Sequence, residues 1–145
     1  KLFMPFTIDT STDFGKRVER RLRDESVAWL TTVDGSGRPF PSPVWFLHEE
    51  DGTVLVYSQP NKLKLRNIDS NANVALNFNA SEHGEDVIIL NGAAIIDESA
   101  NPAANHDAYL AKYRDSIKAI GMTDASFSAE YSVAVRIILQ KVRGH

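Results

Sequence analysis

Three basic side chains, Lys62, Lys64 and Arg66, stand at alternate positions in a chain whose formal net charge is -3. They follow a predicted strand that ends near Ser58, at the start of a segment that favours a short helix. Positive side chains are unfavourable at a helix N-terminus, where the backbone dipole already leaves a partial positive charge. A bound anion reverses that cost, because backbone N–H groups, a hydroxyl and ammonium groups then converge on it. The stretch therefore predicts an anion site, and phosphate is the simplest ligand.

The same stretch also has a plainer interpretation. On a strand all three cations would share one face, whereas on an ideal helix only Lys62 and Arg66 lie one turn apart. A solvated helix face, with Leu63 and Ile68 packed inward, would use the charges for solubility alone. The charge pattern by itself leaves both interpretations open.

No other residues show the spacing of a catalytic or metal site. The four histidines fall in separate predicted elements, and the chain has no cysteine. The segment HGED at 83–86 is interpreted as a solvated hairpin loop. The glycines of GSG at 35–37 lie in a turn between strands, so they do not form a dinucleotide-binding loop. We therefore predict no metal site, and no residue stands out as a general acid or base.

Length and composition predict one globular domain over 1–145. The chain has 145 residues, 43% of them hydrophobic and 24% charged, which suits a single core. No run approaches the ~18 apolar residues of a membrane span, and the first residues lack the pattern of a signal peptide. Together with the missing cysteines this favours a cytoplasmic protein with no membrane partner. The net negative charge argues against nucleic-acid binding.

Periodicity and turn residues divide the chain into alternating elements. The predicted helices cover 12–25, with a capping-box start, then 61–70, then a segment from the N-cap Asn101 to Ala119 or Ile120 that Gly121 ends. A polar, partly helical link follows at 122–130. The predicted strands are 27–33, 40–48, 53–59, 73–79, 86–98 with a bulge or bend at Gly92, and 131–142.

This order, with short turns between strands, favours an antiparallel sheet. Six strands with long buried members predict a closed or nearly closed barrel, which removes sheet edges. The strand at 40–48 is apolar on both faces, with Val44 and Phe46 on one and Trp45 and Leu47 on the other. One face can fill the barrel, and the other needs a helix, a second subunit or a flat ligand as cover.

The ordered set of motifs resembles the pyridoxamine-phosphate-oxidase-like superfamily of flavin and deazaflavin split-barrel proteins. The resemblance rests on VAWLTTVDGSGRPFPSPVWF at 27–46 and on Ser58 followed by KLKLRNI at 62–68 and NVAL at 73–76. It covers roughly 24–98 well and the C-terminal part more loosely. It implies a mainly β fold with α-helices: a six-stranded antiparallel split β-barrel of Greek-key type with flanking helices.

The resemblance also implies a cofactor site and a partner. Lys64 and Lys62 match the residues that grip the cofactor phosphate, and Ser58 matches the hydroxyl that joins them. Arg66 matches a position that either contacts the phosphate or holds the fold by ion pairing.

The strand flanking the tricyclic ring corresponds to Ser42, Pro43, Val44 and Trp45, with Tyr57 beside Ser58. In this superfamily two barrels pair with the cofactor between them, which implies a homodimer in which the partner's 77–92 region completes the site.

The resemblance has gaps that bear on function. Asn71-Ala72-Asn73 replaces the usual Pro-containing segment, and the C-terminal Trp and Arg-Leu-x-Pro features of pyridoxamine phosphate oxidases are missing, so pyridoxal phosphate synthesis is not predicted. PVWF and KLRNI are similar to the actinobacterial branch that uses the deazaflavin coenzyme F-420. We therefore expect an F-420-dependent oxidoreductase that transfers hydride to an activated double bond of a small organic substrate. An FMN-binding oxidase or flavin reductase and a non-catalytic cofactor or haem carrier are the alternatives.

Overall fold

A computed structural model describes residues 6–145 of the chain. Four helices and seven strands lie within these described residues. The helices are α1 (Asp13–Asp24), α2 (Leu63–Ser70), α3 (Asp107–Ala119) and α4 (Asp124–Glu130), with a 3-10 turn at Ala103–Asn105. The strands are β1 (Ala28–Val33), β2 (Pro39–Val44), β3 (Leu47–His48), β4 (Val54–Ser58), β5 (Asn73–Asn77), β6 (Ile88–Ile96) and β7 (Val133–Gly144).

The strands form one antiparallel sheet in the order β2-β1-β5-β6-β7-β4-β3. Its two edges, β2 and β3, are joined by only two residues, Trp45 and Phe46. Such a short link brings the edges together, so the sheet must curl into a split barrel. The mainly β fold with flanking helices is confirmed.

The prediction of one strand over 40–48 is wrong, and the sheet consequently has seven strands instead of six. The N–H of Phe46 donates to the hydroxyl of Tyr113 at 2.8 Å, and that hydroxyl lies 2.9 Å from the Phe46 carbonyl oxygen. Tyr113 of helix α3 therefore hydrogen-bonds the backbone groups of Phe46, which would otherwise continue the pairing of the strand. Pro41 and Pro43 fit β2 because an edge strand need not donate on its outer side.

The barrel interior is filled by inward residues of the strands and of the link between β2 and β3. Leu30, Phe46 and Leu90 are fully buried there, and helix α1 adds Val18 and Leu22 to the same cluster. Thr12 caps helix α1, because its side chain accepts a hydrogen bond from the N–H of Gly15 at 3.0 Å. The predicted capping box is wrong, since the reciprocal position is Gly15, which has no side chain to bond back.

A second apolar cluster lies outside the barrel and is built around α3 and α4. Trp45 and Leu47 pack against it, beside buried Tyr109, Tyr113 and Phe127. The cover that the apolar strand requires on its second face is therefore helical.

The predicted irregularity at Gly92 is confirmed. The pairing register of β6 and β7 shifts between Asn91 and Gly92, so that Asn91 faces Lys141 and Gly92 faces Leu139. The extra residue of this bulge, Gln140, lies on β7. A Cβ atom on Gly92 would stand 2.5 Å from the carbonyl oxygen of Ile138, which excludes any side chain without backbone movement.

The prediction that Asn101 caps the third helix is wrong. The carbonyl oxygen of Asn101 accepts a hydrogen bond from the Tyr57 hydroxyl at 2.6 Å, and a 3-10 turn follows. Helix α3 begins later, and its cap is His106, whose Nδ1 accepts from the N–H of Tyr109 at 3.3 Å. Its end is as predicted, with Gly121 at a φ of 80°.

Within residues 6–145 no helix combines the length and apolar character needed to cross a membrane.

Candidate functional site

A cavity of about 370 Å³ lies where β2, β4 and the start of α2 meet the α3–α4 cluster. Residues of all these elements contribute to its wall, which has a polar end and an aromatic end. It is lined by Pro43, Val44, Trp45, Tyr57, Ser58, Gln59, Lys62, Lys64, Tyr109, Ile120, Phe127 and Tyr131.

The start of α2 forms the polar end of the cavity. Lys62 is its N-cap residue, and neither a side-chain cap nor an acidic residue in the first turn is present. The other three helices each have a side-chain cap and an aspartate in the first turn. The N-terminus of α2 therefore presents N–H groups and two lysines to the cavity without a negative partner from its own first turn.

Two buried residues hold α2 in this position. The side-chain amide of Asn67 donates to the Thr32 hydroxyl at 3.0 Å, inside the barrel. Ile68 joins the barrel core at 4% exposure, whereas Leu63 is 41% exposed. In the solvated-face interpretation both apolar residues pack inward, which is wrong for Leu63, since the first turn of α2 borders the cavity and not the core. The second turn of α2 anchors the helix in the core, and the first turn lines the cavity.

The electrostatics of the polar end favour an anion. Partial burial lowers the pKa of Lys64, and repulsion from Lys62 lowers it further. No aspartate or glutamate is among the described residues that line the cavity. A bound anion would offset both effects by favouring the charged ammonium group.

Ser58 and Tyr57 connect the polar end to the rest of the cavity. Ser58 is 3% exposed, and its hydroxyl donates to the carbonyl oxygen of Gln59 at 2.8 Å. It can accept a hydrogen bond as it stands, or donate to an anion after rotation. Burial, with a contribution from Glu49, raises the pKa of Tyr57 to about 12. The Tyr57 hydroxyl is therefore neutral at physiological pH.

Seven of the nine residues predicted for the cofactor site line this one cavity: Pro43, Val44, Trp45, Tyr57, Ser58, Lys62 and Lys64. Ser42 does not line it, and its buried hydroxyl lacks a protein partner within residues 6–145. Arg66 does not line it either, because its guanidinium points back to the carbonyl oxygen of Asn61, at 3.2 Å. No ion pair of Arg66 occurs within the described part of the chain.

The aromatic end contains residues that the sequence did not single out as site residues. Trp45 stacks on Tyr113, with ring centroids 4.9 Å apart and planes 5° apart, and on Phe127 at 5.5 Å. Phe127 in turn stacks on Tyr131 at 4.5 Å. Tyr109, Phe127, Tyr131 and Ile120 all line the cavity. Their only signal in the sequence is the recurrence of aromatic residues after position 108, which is also typical of a helix core.

A charged network fixes the start of α3 and hence this end of the cavity. The His106 ring lies with Nε2 2.7 Å from a carboxylate oxygen of Glu49. The other oxygen of Glu49 pairs with Arg136, whose Nε donates to Asp97 at 2.9 Å. No histidine is among the described residues that line the cavity.

The geometry describes a ligand with two different parts. The polar end offers two ammonium groups, a hydroxyl and a helix N-terminus, which together suit a phosphate. Flat rings and apolar side chains at the other end suit a planar group. A molecule that carries a phosphate at one end and a ring system at the other matches both.

Comparison with known proteins gives one family. The family model described as pyridoxamine 5'-phosphate oxidase matches residues 14–145. No curated protein sequence matches the chain with significance.

Solved structures show the same fold at low identity. A protein described as an F420 reductase has a TM-score of 0.66 and 18% identity, over 86% of this chain and 94% of its own. The conserved hypothetical protein Rv2991 of Mycobacterium tuberculosis has a TM-score of 0.70 and 14% identity, over 97% and 88%. The haem storage protein HutZ of Vibrio cholerae has a TM-score of 0.63 and 16% identity, over 92% and 95%. At these identities the likeness concerns the fold alone.

Proposed function

This chain belongs to the pyridoxamine 5'-phosphate oxidase family, and from that premise we propose that it is an oxidoreductase that binds a phosphorylated flavin or deazaflavin in the cavity. The phosphate would lie at the N-terminus of α2, between Lys62 and Lys64, with Ser58 beside it. The ring system would lie along Pro43, Val44 and Trp45. Coenzyme F-420 is the proposed cofactor, and FMN is the alternative.

The observation that carries the proposal is the composition of the polar end. A helix start without a cap or an acid, two converging lysines and a depressed Lys64 pKa all gain stability from a bound anion. Burial of Asn67 and Ile68 places this helix start against the cavity independently of the charges. Lys62 and Lys64 therefore line a cavity, whereas the side chains of a merely solvated helix face would point into bulk water.

A bound cofactor of this class supplies hydride for reduction of an activated double bond, so the protein's task is binding, orientation and electrostatics. Lys62 and Lys64 hold the anionic group by charge-assisted hydrogen bonds. Trp45 is fixed by its stack on Tyr113 and Phe127, so it offers a rigid flat surface. The aromatic wall also limits water near the ring. No residue of the cavity is assigned as the catalytic acid or base.

The preference for F-420 over FMN rests on the PVWF and KLRNI segments, and a protein described as an F420 reductase has the same fold. A haem storage protein has the same fold. A non-catalytic carrier is therefore the second candidate function, and the experiment below distinguishes it from an enzyme.

We propose a homodimer that pairs through the outer face of the sheet. Trp29 and Ile95 are 37% and 48% exposed, on strands whose inward residues are buried. Alternation and register place Trp29 opposite Pro43 and Asn77, and Asn77 opposite Ile89, on this face. The proposed contact includes part of the 77–92 region, which would complete the partner's cofactor site.

The direct test is to titrate the purified protein with FMN and with coenzyme F-420 side by side, by calorimetry. We expect micromolar or tighter binding of F-420 and weaker binding of FMN. Turnover is then measured with the reduced cofactor and a panel of activated alkenes and quinones. Cofactor binding without turnover would identify a carrier, and the absence of binding by both cofactors would contradict the proposed function.

A further inference from the structure

Helix α3 differs from the other capped helices in the chemistry of its cap. Helices α1 and α4 are capped by the hydroxyls of Thr12 and Thr123, which do not change charge near neutral pH. The cap of α3 is the imidazole of His106, whose Nδ1 accepts a hydrogen bond from the N–H of Tyr109 at 3.3 Å. Histidine is the side chain that ordinarily changes charge between pH 5 and 8. Within residues 6–145, α3 is therefore the helix whose cap a proton can remove.

The contacts on both sides of the His106 ring define where its proton lies. Nδ1 can accept the Tyr109 N–H only if it carries no proton of its own. Nε2, 2.7 Å from a carboxylate oxygen of Glu49, then carries the proton and donates it to that oxygen. The side chain is 17% exposed, so water can reach the ring. A second proton can attach only at Nδ1, where it would face the N–H of Tyr109 and break that hydrogen bond.

The charges around the ring decide what a second proton would gain. Titratable groups face the ring or line the cleft beside it from four elements: His48, Glu49, Glu50 and Asp51 from β3 and the turn after it, Arg136 from β7, Asp97 after β6, and Asp107 from α3 itself. Burial lowers the pKa of His48, so it adds no charge at neutral pH. Helix α4 contacts the preceding 3-10 turn through the uncharged Ser128. Carboxylates outnumber cations here, so a charged ring keeps its contact with Glu49, while the helix N-terminus repels it.

Few other polar contacts hold the first turn of α3. The hydroxyl of Tyr109 is buried but has no protein hydrogen-bond partner within residues 6–145. Tyr109 is thus held by its capped N–H and by its ring, which packs against Tyr57 and Tyr113. Tyr113, one turn later, is tied to the backbone of Phe46 through its hydroxyl. Loss of the cap should therefore loosen the start of α3 and leave the rest of the helix in place.

We propose that His106 is a pH-dependent cap that couples proton uptake to the order of the aromatic end of the cavity. One proton from solvent binds Nδ1, the hydrogen bond from the Tyr109 N–H breaks, and the contact of Nε2 with Glu49 becomes an ion pair. The first turn of α3 then frays, and the wall that Tyr109 forms with Tyr57 and Phe127 loosens. The cap is a property of the fold, so the proposal does not depend on which cofactor the cavity binds.

Nitrogen-15 NMR of the histidine rings in the full chain tests the positions of the protons. We expect the His106 ring at pH 8 to be neutral with its proton on Nε2, and Nδ1 to take up a proton between pH 8 and pH 5.5. A ring that carries its proton on Nδ1 at pH 8 would overturn the proposal, because that nitrogen could not accept the Tyr109 N–H. A ring that stays neutral down to pH 5.5 would overturn it as well.

Amide hydrogen exchange tests the consequence for the helix. Corrected for the intrinsic exchange rate at each pH, the protection of the Tyr109 N–H should fall about three- to thirtyfold from pH 8 to pH 5.5, the size of one lost N-cap. The N–H of Ser126, which the Thr123 hydroxyl caps, is the internal control and should keep its protection. His106→Asn retains a side-chain oxygen that caps the helix without titrating, so its Tyr109 protection should be the same at both pH values.

Two exchange results would contradict the proposal. Equal protection of the wild-type Tyr109 N–H at both pH values would show that the first turn does not depend on the neutral ring. A fall of the same size in His106→Asn would assign the pH dependence to Glu49 or another neighbour and not to His106. If the variant does not fold, the ring spectrum and the comparison of Tyr109 with Ser126 decide the question in the wild type.

Discussion

The Tyr113 hydroxyl accepts a hydrogen bond from the backbone N–H of Phe46 at 2.8 Å, across 67 residues of sequence. It also lies 2.7 Å from the carbonyl oxygen of Ser26, to which it donates. This one side chain therefore ties helix α3 to the link between β2 and β3. The link carries Trp45, so the wall of the cavity depends on a contact that is remote in sequence.

The first prediction concerns this contact. Tyr113→Phe removes the partner of the buried Phe46 N–H and of the Ser26 carbonyl oxygen, so we expect a loss of about 1–3 kcal/mol in the free energy of unfolding. Urea unfolding measures it, with Tyr131→Phe as the control because Tyr131 is only half-buried. Equal stabilities of the two variants would contradict the role given to Tyr113.

A second prediction concerns the bulge between β6 and β7. Gly92→Ala places a Cβ atom 2.5 Å from the Ile138 carbonyl oxygen, and the required backbone shift should cost about 1–3 kcal/mol. Gly35→Ala is the matched control, since nothing lies within 4 Å of its Cβ position. Thermal or urea unfolding of the two variants gives the comparison, and a Gly92→Ala protein as stable as the control would show that the bulge adapts freely.

The third prediction is a pH dependence of stability due to Lys112. Burial lowers its pKa to about 8, although Asp24 and Glu25 oppose the effect, and its ammonium group donates to the Phe46 carbonyl oxygen at 3.0 Å. In the unfolded chain the pKa is near the model-compound value of 10.5. Between these values the unfolded state binds more protons, so stability rises with pH through this window.

Lys112→Met should lose this contribution. The stability of the wild type relative to Lys112→Met should therefore rise by on the order of 1–3 kcal/mol from pH 7 to pH 10. Urea unfolding at both pH values gives the difference, and Lys118→Met, an exposed site on the same helix, should show no such change. A constant difference between the wild type and Lys112→Met would mean that Lys112 titrates normally.

Local sequence patterns predict most of the helices and strands, and they also predict which residues lie together at the polar end of the cavity. Ser58, Lys62 and Lys64 lie within seven positions, so strand end and helix start bring them together without distant contacts. The break after Val44 was not predictable, because PVWFLH is uniformly apolar and the break depends on Tyr113. Likewise the start of α3 lies at His106, whose ring contacts Glu49, a residue that is remote in sequence.

The aromatic end was missed for a related reason. Helical periodicity places Tyr109 on the buried face of α3, where an aromatic residue is ordinarily core. Whether its hydroxyl finds a partner is a property of the packed structure, and no pattern of residue types reports it. Phe127 and Tyr131 reach the cavity only because α4 folds back onto Trp45.

The fourth prediction tests the proposed dimer. Ile95→Glu places a charge on the exposed apolar face of the sheet, so it should shift a dimer to a monomer at micromolar concentration, whereas Ile95→Val should not. Sedimentation equilibrium measures the mass of each. A monomeric wild type would contradict the dimer, and a dimeric Ile95→Glu protein would place the interface elsewhere.

The start of α2 is proposed to bind the cofactor phosphate through Lys64, and the sharpest test of this role is the effect of the phosphate group on affinity. Calorimetry gives the affinity ratio of FMN to riboflavin, and of F-420 to its phosphate-free ribityl core, for the wild type, Lys64→Ala and Arg66→Ala. Arg66→Ala removes the same charge from the same helix, but outside the cavity. We predict that the phosphate-bearing ligand is preferred, that Lys64→Ala reduces the preference by about tenfold or more, and that Arg66→Ala retains it. A preference that survives Lys64→Ala unchanged, or that falls equally in both variants, would rule out this role of Lys64.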